Sequence, residues 1–145
     1  MKKLVYLIIL CSFFSFAKTG GEKIENEYVD VTITLKPNEV RSGGKAQLLV
    51  TFKPQKGIHI NLDPPIEFEF EKELVINGKA KTSKMKKDNY LDTEKPFIQN
   101  LRIKKNLSPG THTIKGKLNY FYCSDAEGWC SRFSQPINLN ITIIK

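Results

Sequence analysis

The sequence predicts an all-β fold, an immunoglobulin-like antiparallel β-sandwich. Beyond Ala17, Val, Ile and Thr total 27 residues while Ala occurs three times, a composition that favours strands over helices. Apolar and polar residues alternate with a period of two along several short segments, so each segment buries one face. Turn residues recur every roughly 8 to 12 residues, the spacing typical of a sandwich.

Residues 1–17 predict a secretory signal peptide. Two lysines follow the initial Met, Leu4–Phe14 is apolar, and Ser15-Phe16-Ala17 matches a cleavage site with small residues at its outer positions. We therefore expect residues 18–145 to form a single domain that is periplasmic or secreted, with its net charge reduced from +8 to +6. Whether Cys11 is ever lipidated is left open.

The alternating segments define the strands in chain order. Each has apolar residues on one face: Val29–Leu35, Ala46–Phe52, Ile58–Leu62, Ile66–Phe70, the segment marked by Phe97, Leu101 and Ile103, and Ile137–Ile143. Asn77-Gly78 lies between Leu74–Ile76 and Lys79–Lys81 and predicts a two-residue hairpin. Thr82–Lys95 is polar and lacks strand periodicity, so it predicts a long loop, and loops of that length are often functional.

The exported part contains two cysteines, Cys123 and Cys130. The aromatic segment Leu118–Tyr122 runs into the first, and six residues including Gly128 precede the second. In an oxidising compartment this hairpin-like spacing allows a disulfide. Closing a loop this short contributes roughly 2.5 kcal/mol. The spacing alone leaves two interpretations open, an exchangeable pair and a structural bond.

Other chemistries have less support in the sequence. The spacing C-x6-C does not match zinc sites, and His59 and His112 lie far apart, so no metal site is predicted. No phosphate-binding glycine loop, nucleotide signature or catalytic Ser/His/Asp order occurs, so we expect no cofactor and no small-molecule substrate. The lysines between Lys79 and Lys87 are interpreted as a solvated loop and not as a nucleic-acid site.

The segment Asn119–Cys130, together with the closing alternating strand, resembles the N-terminal periplasmic (alpha) domain of the DsbD family of thiol:disulfide interchange proteins. Gly57–Asn61 is similar to that family's Gly-aromatic-x-hydrophobic strand, and a proline turn follows at Pro64-Pro65. The resemblance covers roughly Tyr28 to Ile144 and implies an immunoglobulin-like sandwich. The family usually has five residues between its cysteines, and this chain has six.

The resemblance implies that Cys123 and Cys130 are a redox-active disulfide. Such a pair takes electrons from a membrane-embedded donor and passes them to periplasmic thioredoxin-like proteins, as a component of a protein-disulfide reductase. The sequence does not decide whether this chain has that activity. The alternative is a redox-inert β-sandwich that binds a partner and uses the same bond as a structural disulfide.

The resemblance also implies a loop that caps the cysteine pair. Tyr90 matches the aromatic residue that lies over the disulfide in the family, and Asp88 matches an acidic residue beside it. His59 and Asn61 match positions near the redox site. These four residues are therefore expected around the disulfide.

Overall fold

The computed structural model describes residues 25–71, 74–83 and 88–145, so the predicted signal peptide at 1–17 lies outside the described residues. Within these ranges the chain forms nine strands and no helix, and therefore no helix that could span a membrane. The strands are β1 Val29–Lys36, β2 Glu39–Arg41, β3 Lys45–Pro54, β4 Ile58–Asn61, β5 Glu67–Phe70, β6 Val75–Lys81, β7 Phe97–Ile103, β8 Gly110–Ser124 and β9 Trp129–Ile144.

The strands form two sheets that share one core. The first sheet has the order β1-β3-β7-β6, and all its neighbours are antiparallel. The second has the order β2-β9-β8-β4, and β5 also pairs with β8. The predicted antiparallel sandwich is confirmed, with one local exception: the short strand β2 runs parallel to β9. This strand was not predicted, because three residues are too few to show alternation.

The core lies between the two sheets and contains the apolar residues that the alternation predicts. Its fully buried members come from β1, β3, β4, β7, β8, β9 and the loop before β7, and include Val29, Leu48, Val50, Phe52, Ile60, Leu91, Ile103, Ile114, Leu118, Tyr120, Ile141 and Ile143. The ring of Phe52 meets that of Tyr120 across the core, with centroids 5.2 Å apart. Burial raises the pKa of Tyr120 to about 12, although the hydrogen bond from Asn26 Nδ2 to its hydroxyl, 3.0 Å long, acts in the opposite direction.

The hairpin predicted at Asn77-Gly78 is wrong. Both residues lie inside the single strand β6, where the register against β7 shifts between Asn77 and Ala80. The side-chain amide of Asn77 donates to the Phe68 carbonyl at 3.0 Å, and that of Gln99 donates to the Gly78 carbonyl at 2.8 Å. The turn-forming dipeptide is therefore accommodated as a bulge in an edge strand, because tertiary hydrogen bonds outweigh its local turn preference.

A glycine sets the close approach of β5 to β8. A Cβ at Gly116 would overlap the carbonyl oxygen of Glu69, so only glycine allows the two backbones to pair at this point. Strands β8 and β9 pair as one continuous antiparallel ladder, which runs from the pair Gly110 and Ile143 to the pair Ser124 and Trp129. That long hairpin carries the two cysteines at its tip.

The predicted loop Thr82–Lys95 contains no regular strand in its described parts, 82–83 and 88–95. Tyr90 forms an isolated antiparallel bridge with Asn61 of β4. The segment therefore runs along the edge of the second sheet, beside the tip of the long hairpin. Part of the predicted lysine-rich run, at 84–87, lies outside the described residues.

Candidate functional site

Cys123 and Cys130 form a disulfide across the tip of the β8–β9 hairpin. They are direct partners in the antiparallel register, and their Cα atoms lie 4.1 Å apart. The turn between them closes with a hydrogen bond of 2.9 Å from Gly128 N to Ser124 O. Gly128 has a φ of 69°, a conformation that favours glycine. The predicted disulfide bond is confirmed.

The two sulfurs have different surroundings. Tyr120 and Tyr122 point into the core, so the alternation of β8 turns Cys123 to the outer face of the second sheet. Even there Cys123 is only 4% exposed. Cys130, directly opposite on β9, is exposed, and so is Arg132, the next residue on the same face. A molecule that approaches the disulfide from solvent therefore meets Cys130 first.

Asn61 contacts the sulfur of Cys123, and the neighbouring loop is held against β4. The Nδ2 atom of Asn61 lies 3.0 Å from the Cys123 sulfur and donates to it. Backbone hydrogen bonds hold the loop against β4: Leu62 N donates to Asn89 O at 3.0 Å, and Leu91 N donates to Ile60 O at 2.8 Å. The loop segment Asn89–Leu91 is thus fixed to β4 on both sides of the isolated bridge between Tyr90 and Asn61.

The side chain of Tyr90 joins this loop to the hairpin turn. Its ring stacks on the imidazole of His59, with centroids 4.7 Å apart and planes 6° from parallel. Its hydroxyl donates a hydrogen bond of 2.8 Å to Asp125 Oδ1, and His59 Nε2 lies 3.4 Å from Asp125 Oδ2. The hydrogen bond to Asp125, desolvation, and the charges of Asp125 and Asp88 together raise the pKa of Tyr90.

The structure brings together five of the six residues singled out in the sequence. His59 is the cross-strand partner of Cys123, and Asn61 bridges to Tyr90. The ring of Tyr90 stacks on the imidazole of His59. Shielding of the two sulfurs by this ring stays a prediction. Asp88 is exposed on the same loop. Its negative charge contributes to the raised pKa of Tyr90.

Asp125 is a functional candidate that the sequence analysis did not indicate. Its carboxylate accepts a hydrogen bond from the hydroxyl of Tyr90. No signal in the sequence links two residues 35 positions apart. On the inner side of the same turn, Tyr28, Tyr122 and Trp129 form an aromatic cluster that supports the hairpin tip.

The described residues contain no cluster of three or more His, Cys, Asp or Glu side chains that could hold a metal ion.

Comparisons with known proteins bear on the fold. No family model matches the sequence, and no curated protein matches it. The structure is similar to a cohesin module from a Clostridium perfringens family 33 glycoside hydrolase. The TM-score is 0.52 and the identity 11%, over 80% of this chain and 96% of the module. This likeness supports the immunoglobulin-like β-sandwich and shows the fold alone.

A weaker similarity exists to the GAE domain of yeast GGA1. Its TM-score is 0.47 and its identity 15%, over 80% of this chain and 94% of that domain.

Proposed function

We propose that this domain is an exported thiol-disulfide interchange module that passes electrons through Cys123 and Cys130 to periplasmic thioredoxin-like proteins. One observation carries the proposal: the disulfide joins an exposed cysteine to a buried one, and a tyrosine on a separate loop is hydrogen-bonded to the hairpin turn beside it. A bond that served only to staple neighbouring strands would not require such an arrangement.

The exposure of Cys130 makes its sulfur the point of attack. A thiolate of the electron donor attacks Cys130 Sγ, and the Cys123–Cys130 bond breaks as the intermolecular bond forms. Cys123 leaves as a thiolate and then takes up a proton. The donor's second thiol attacks its own sulfur in the mixed disulfide, which releases Cys130 as a thiol and leaves the donor oxidised. Two electrons and two protons have then reached this domain.

Asn61 supports this step because its Nδ2 donates to Cys123 Sγ. A hydrogen bond to the developing thiolate stabilises the leaving group and so favours cleavage of the disulfide. The Oδ1 atom of the same amide is buried and has no hydrogen-bond partner among the described residues. Rotation of the amide offers this oxygen as an acceptor for the Cys123 thiol in the reduced domain.

The second half of the cycle runs in the opposite direction. The Cys130 thiolate attacks the disulfide of a thioredoxin-like acceptor, and Cys123 resolves the mixed disulfide, so the acceptor leaves as a dithiol. Arg132, exposed two residues further along the same face, favours the Cys130 thiolate through its positive charge. The membrane-embedded donor and the thioredoxin-like acceptor are inferred from the resemblance to the DsbD family.

The loop that carries Tyr90 gives this exchange its selectivity. Asp125 belongs to the hairpin turn and Tyr90 to the loop, so their hydrogen bond ties the cover to the redox site. Small thiols do not supply the contacts that would replace this bond and the stack on His59. A protein partner with a complementary surface displaces the loop and reaches the disulfide.

Single-cysteine variants test the proposal. Cys123→Ala leaves Cys130 as the thiol, and Cys130→Ala leaves Cys123. Each is mixed with a thioredoxin whose remaining active-site cysteine is activated by thionitrobenzoate, and the release of that anion is followed. Because Cys130 is the exposed sulfur, Cys123→Ala should react about tenfold faster or more. Equal rates, or a faster Cys130→Ala variant, would contradict the assigned roles.

The low exposure of Cys123 favours a second candidate function, the redox-inert interaction module. In that case the loop protects a structural bond and no partner opens it. The disulfide of the wild-type domain would then stay oxidised in the presence of a reduced thioredoxin.

A further inference from the structure

A hollow of about 410 Å³ lies on the outer face of the first sheet, away from the disulfide. It spans β1, β3 and β7, and the bulged strand β6 forms one wall. Its lining combines cations with amides and includes Lys36, Lys45, Gln47, Gly78, Asn100 and Arg102. The feature was not indicated by the sequence, because its residues come from four separate strands.

Two positive charges face each other across the floor of this hollow. Lys45 of β3 and Arg102 of β7 are direct partners in the antiparallel register. Like charges at directly opposite positions destabilise a sheet. Lys36 adds a third positive charge in the adjacent row of residues, beside Gln47. The arrangement concentrates positive charge where the fold alone would disfavour it.

No carboxylate of the described chain neutralises these three cations. Two ion pairs of the described residues, Lys95 with Asp92 and His59 with Asp125, both lie outside the hollow. In the strand register Lys45 and Arg102 lie opposite each other and Lys36 lies opposite Gln47, so no carboxylate is the cross-strand partner of any of the three. On the same face Lys53 provides a contrast, because its register partner is Asp30.

Side-chain amides order the middle of the hollow. Gln47 Nε2 donates to Asn100 Oδ1 at 2.8 Å, and Asn100 Nδ2 donates to the carbonyl of Lys79 in the bulge. Gly78 keeps the bulge close, because a Cβ there would lie 3.1 Å from the Asn100 carbonyl oxygen. The cations thus surround a fixed polar floor, on which a ligand can be oriented.

The geometry points to a binding site for a phosphoryl group, with Lys45 and Arg102 as its principal ligands. A phosphate monoester carries a charge of about −1.5 to −2 at neutral pH, which two opposed cations neutralise, whereas a carboxylate would leave one of them unpaired. Arg102 offers two parallel N–H donors to phosphate oxygens, and Lys45 offers a point charge. The site lies on the opposite sheet from the cysteines, so it is independent of the proposed interchange function.

Titration calorimetry of the wild-type domain with glycerol 3-phosphate tests the site. We expect saturable binding, accompanied by shifts of the backbone amide resonances of Lys45, Gln47 and Arg102. Lys45→Gln and Arg102→Gln should each weaken binding about tenfold or more, since each removes a charged hydrogen-bond donor. The matched control Lys53→Gln removes the same charge from the same strand and should change affinity less than about twofold.

Vesicles identify the source of the phosphoryl group. Phosphatidylcholine vesicles that contain phosphatidic acid, a lipid phosphate monoester, are compared with vesicles of phosphatidylcholine alone, using wild type, Lys45→Gln and Lys53→Gln. Binding of glycerol 3-phosphate without vesicle binding assigns a soluble phosphate ester, and vesicle binding lost in Lys45→Gln but kept in Lys53→Gln assigns a lipid headgroup. The inference is overturned if neither probe binds, or if Lys53→Gln weakens binding as much as Lys45→Gln.

Discussion

The outer faces of the two sheets arise from the same strand alternation, but their outward side chains differ in how far they are exposed to solvent. On the first sheet the outward side chains of Lys45 and Arg102 line an open hollow. On the second sheet the outward Cys123 is only 4% exposed, and the amide of Asn61 donates to its sulfur. The fold thus offers one face directly to solvent and keeps one cysteine of the disulfide buried on the other face.

The comparison teaches that, under the proposed function, the segment that carries Tyr90 and not the sandwich gives the second face its selectivity. Cys130 and Arg132 are exposed on that face, where the proposed partner would first make contact. Substitutions on one face should leave the properties of the other face unchanged.

The largest effect is expected from removing both sulfurs. Cys123→Ala with Cys130→Ala should abolish thiol-disulfide exchange and leave a folded β protein that still binds glycerol 3-phosphate. The bond closes a short loop, so its loss should lower the free energy of unfolding by about 2.5 kcal/mol at most. Circular dichroism and thermal melting check this. A double variant that is unfolded at room temperature would show that the bond is structurally required.

A smaller change is expected from opening the cover. Tyr90→Ala removes the stack on His59 and the hydrogen bond to Asp125, so dithiothreitol should reduce the disulfide several-fold faster, at nearly unchanged melting temperature. Tyr90→Phe keeps the ring and loses only the hydrogen bond, and should give an intermediate rate. Lys45→Gln, on the other sheet, should react like the wild type. Equal rates for Tyr90→Ala and wild type would remove the capping role.

The protection by Tyr90 should be lost at alkaline pH, with a midpoint above 10. The pKa of Tyr90 is raised from its ordinary value of 10.0, chiefly by the hydrogen bond to Asp125, so the phenol is half ionised only above that pH. The phenolate repels Asp125, and the loop is released. With a phosphine reductant, the ratio of the Tyr90→Ala rate to the wild-type rate should fall with a midpoint above pH 10. A midpoint below pH 10 would contradict the account.

The smallest effect concerns the first sheet. Lys45→Gln removes one of two like charges at opposite positions, so in phosphate-free buffer it should stabilise the domain by about 0.2–1 kcal/mol. Urea unfolding measures the change, and Lys53→Gln, which loses a cation opposite Asp30, should not stabilise. Destabilisation by Lys45→Gln would show that the two cations are compensated in a way that the register does not indicate.

Much of the fold follows from the sequence because alternation marks the buried face of each long strand, as in Val29–Leu35 and Ile137–Ile143. The prediction failed where local preference competed with tertiary contacts. Asn77-Gly78 has strong turn propensity, yet the amide of Gln99 holds it in an edge strand. The short strand β2 was missed because Val40 is its one buried residue.

The sequence indicated most residues of the candidate site, but not the contacts that they make with one another. The resemblance indicated Tyr90, His59 and Asn61, and these residues do lie together beside Cys123. The hydrogen bond between Tyr90 and Asp125 and the unequal exposure of the cysteines depend on how loop and hairpin meet in space. Contacts of that kind leave no periodic signal in a single sequence.

The reduction potential of the Cys123–Cys130 pair tests the central claim most directly. The wild-type domain is equilibrated with defined ratios of reduced and oxidised glutathione, and free thiols are trapped by alkylation and counted by mass. An exchangeable pair should become reduced within the glutathione range, at a potential above the roughly −300 mV below which structural disulfides lie. A pair that stays oxidised at every ratio would contradict the interchange function and leave the bond a structural staple.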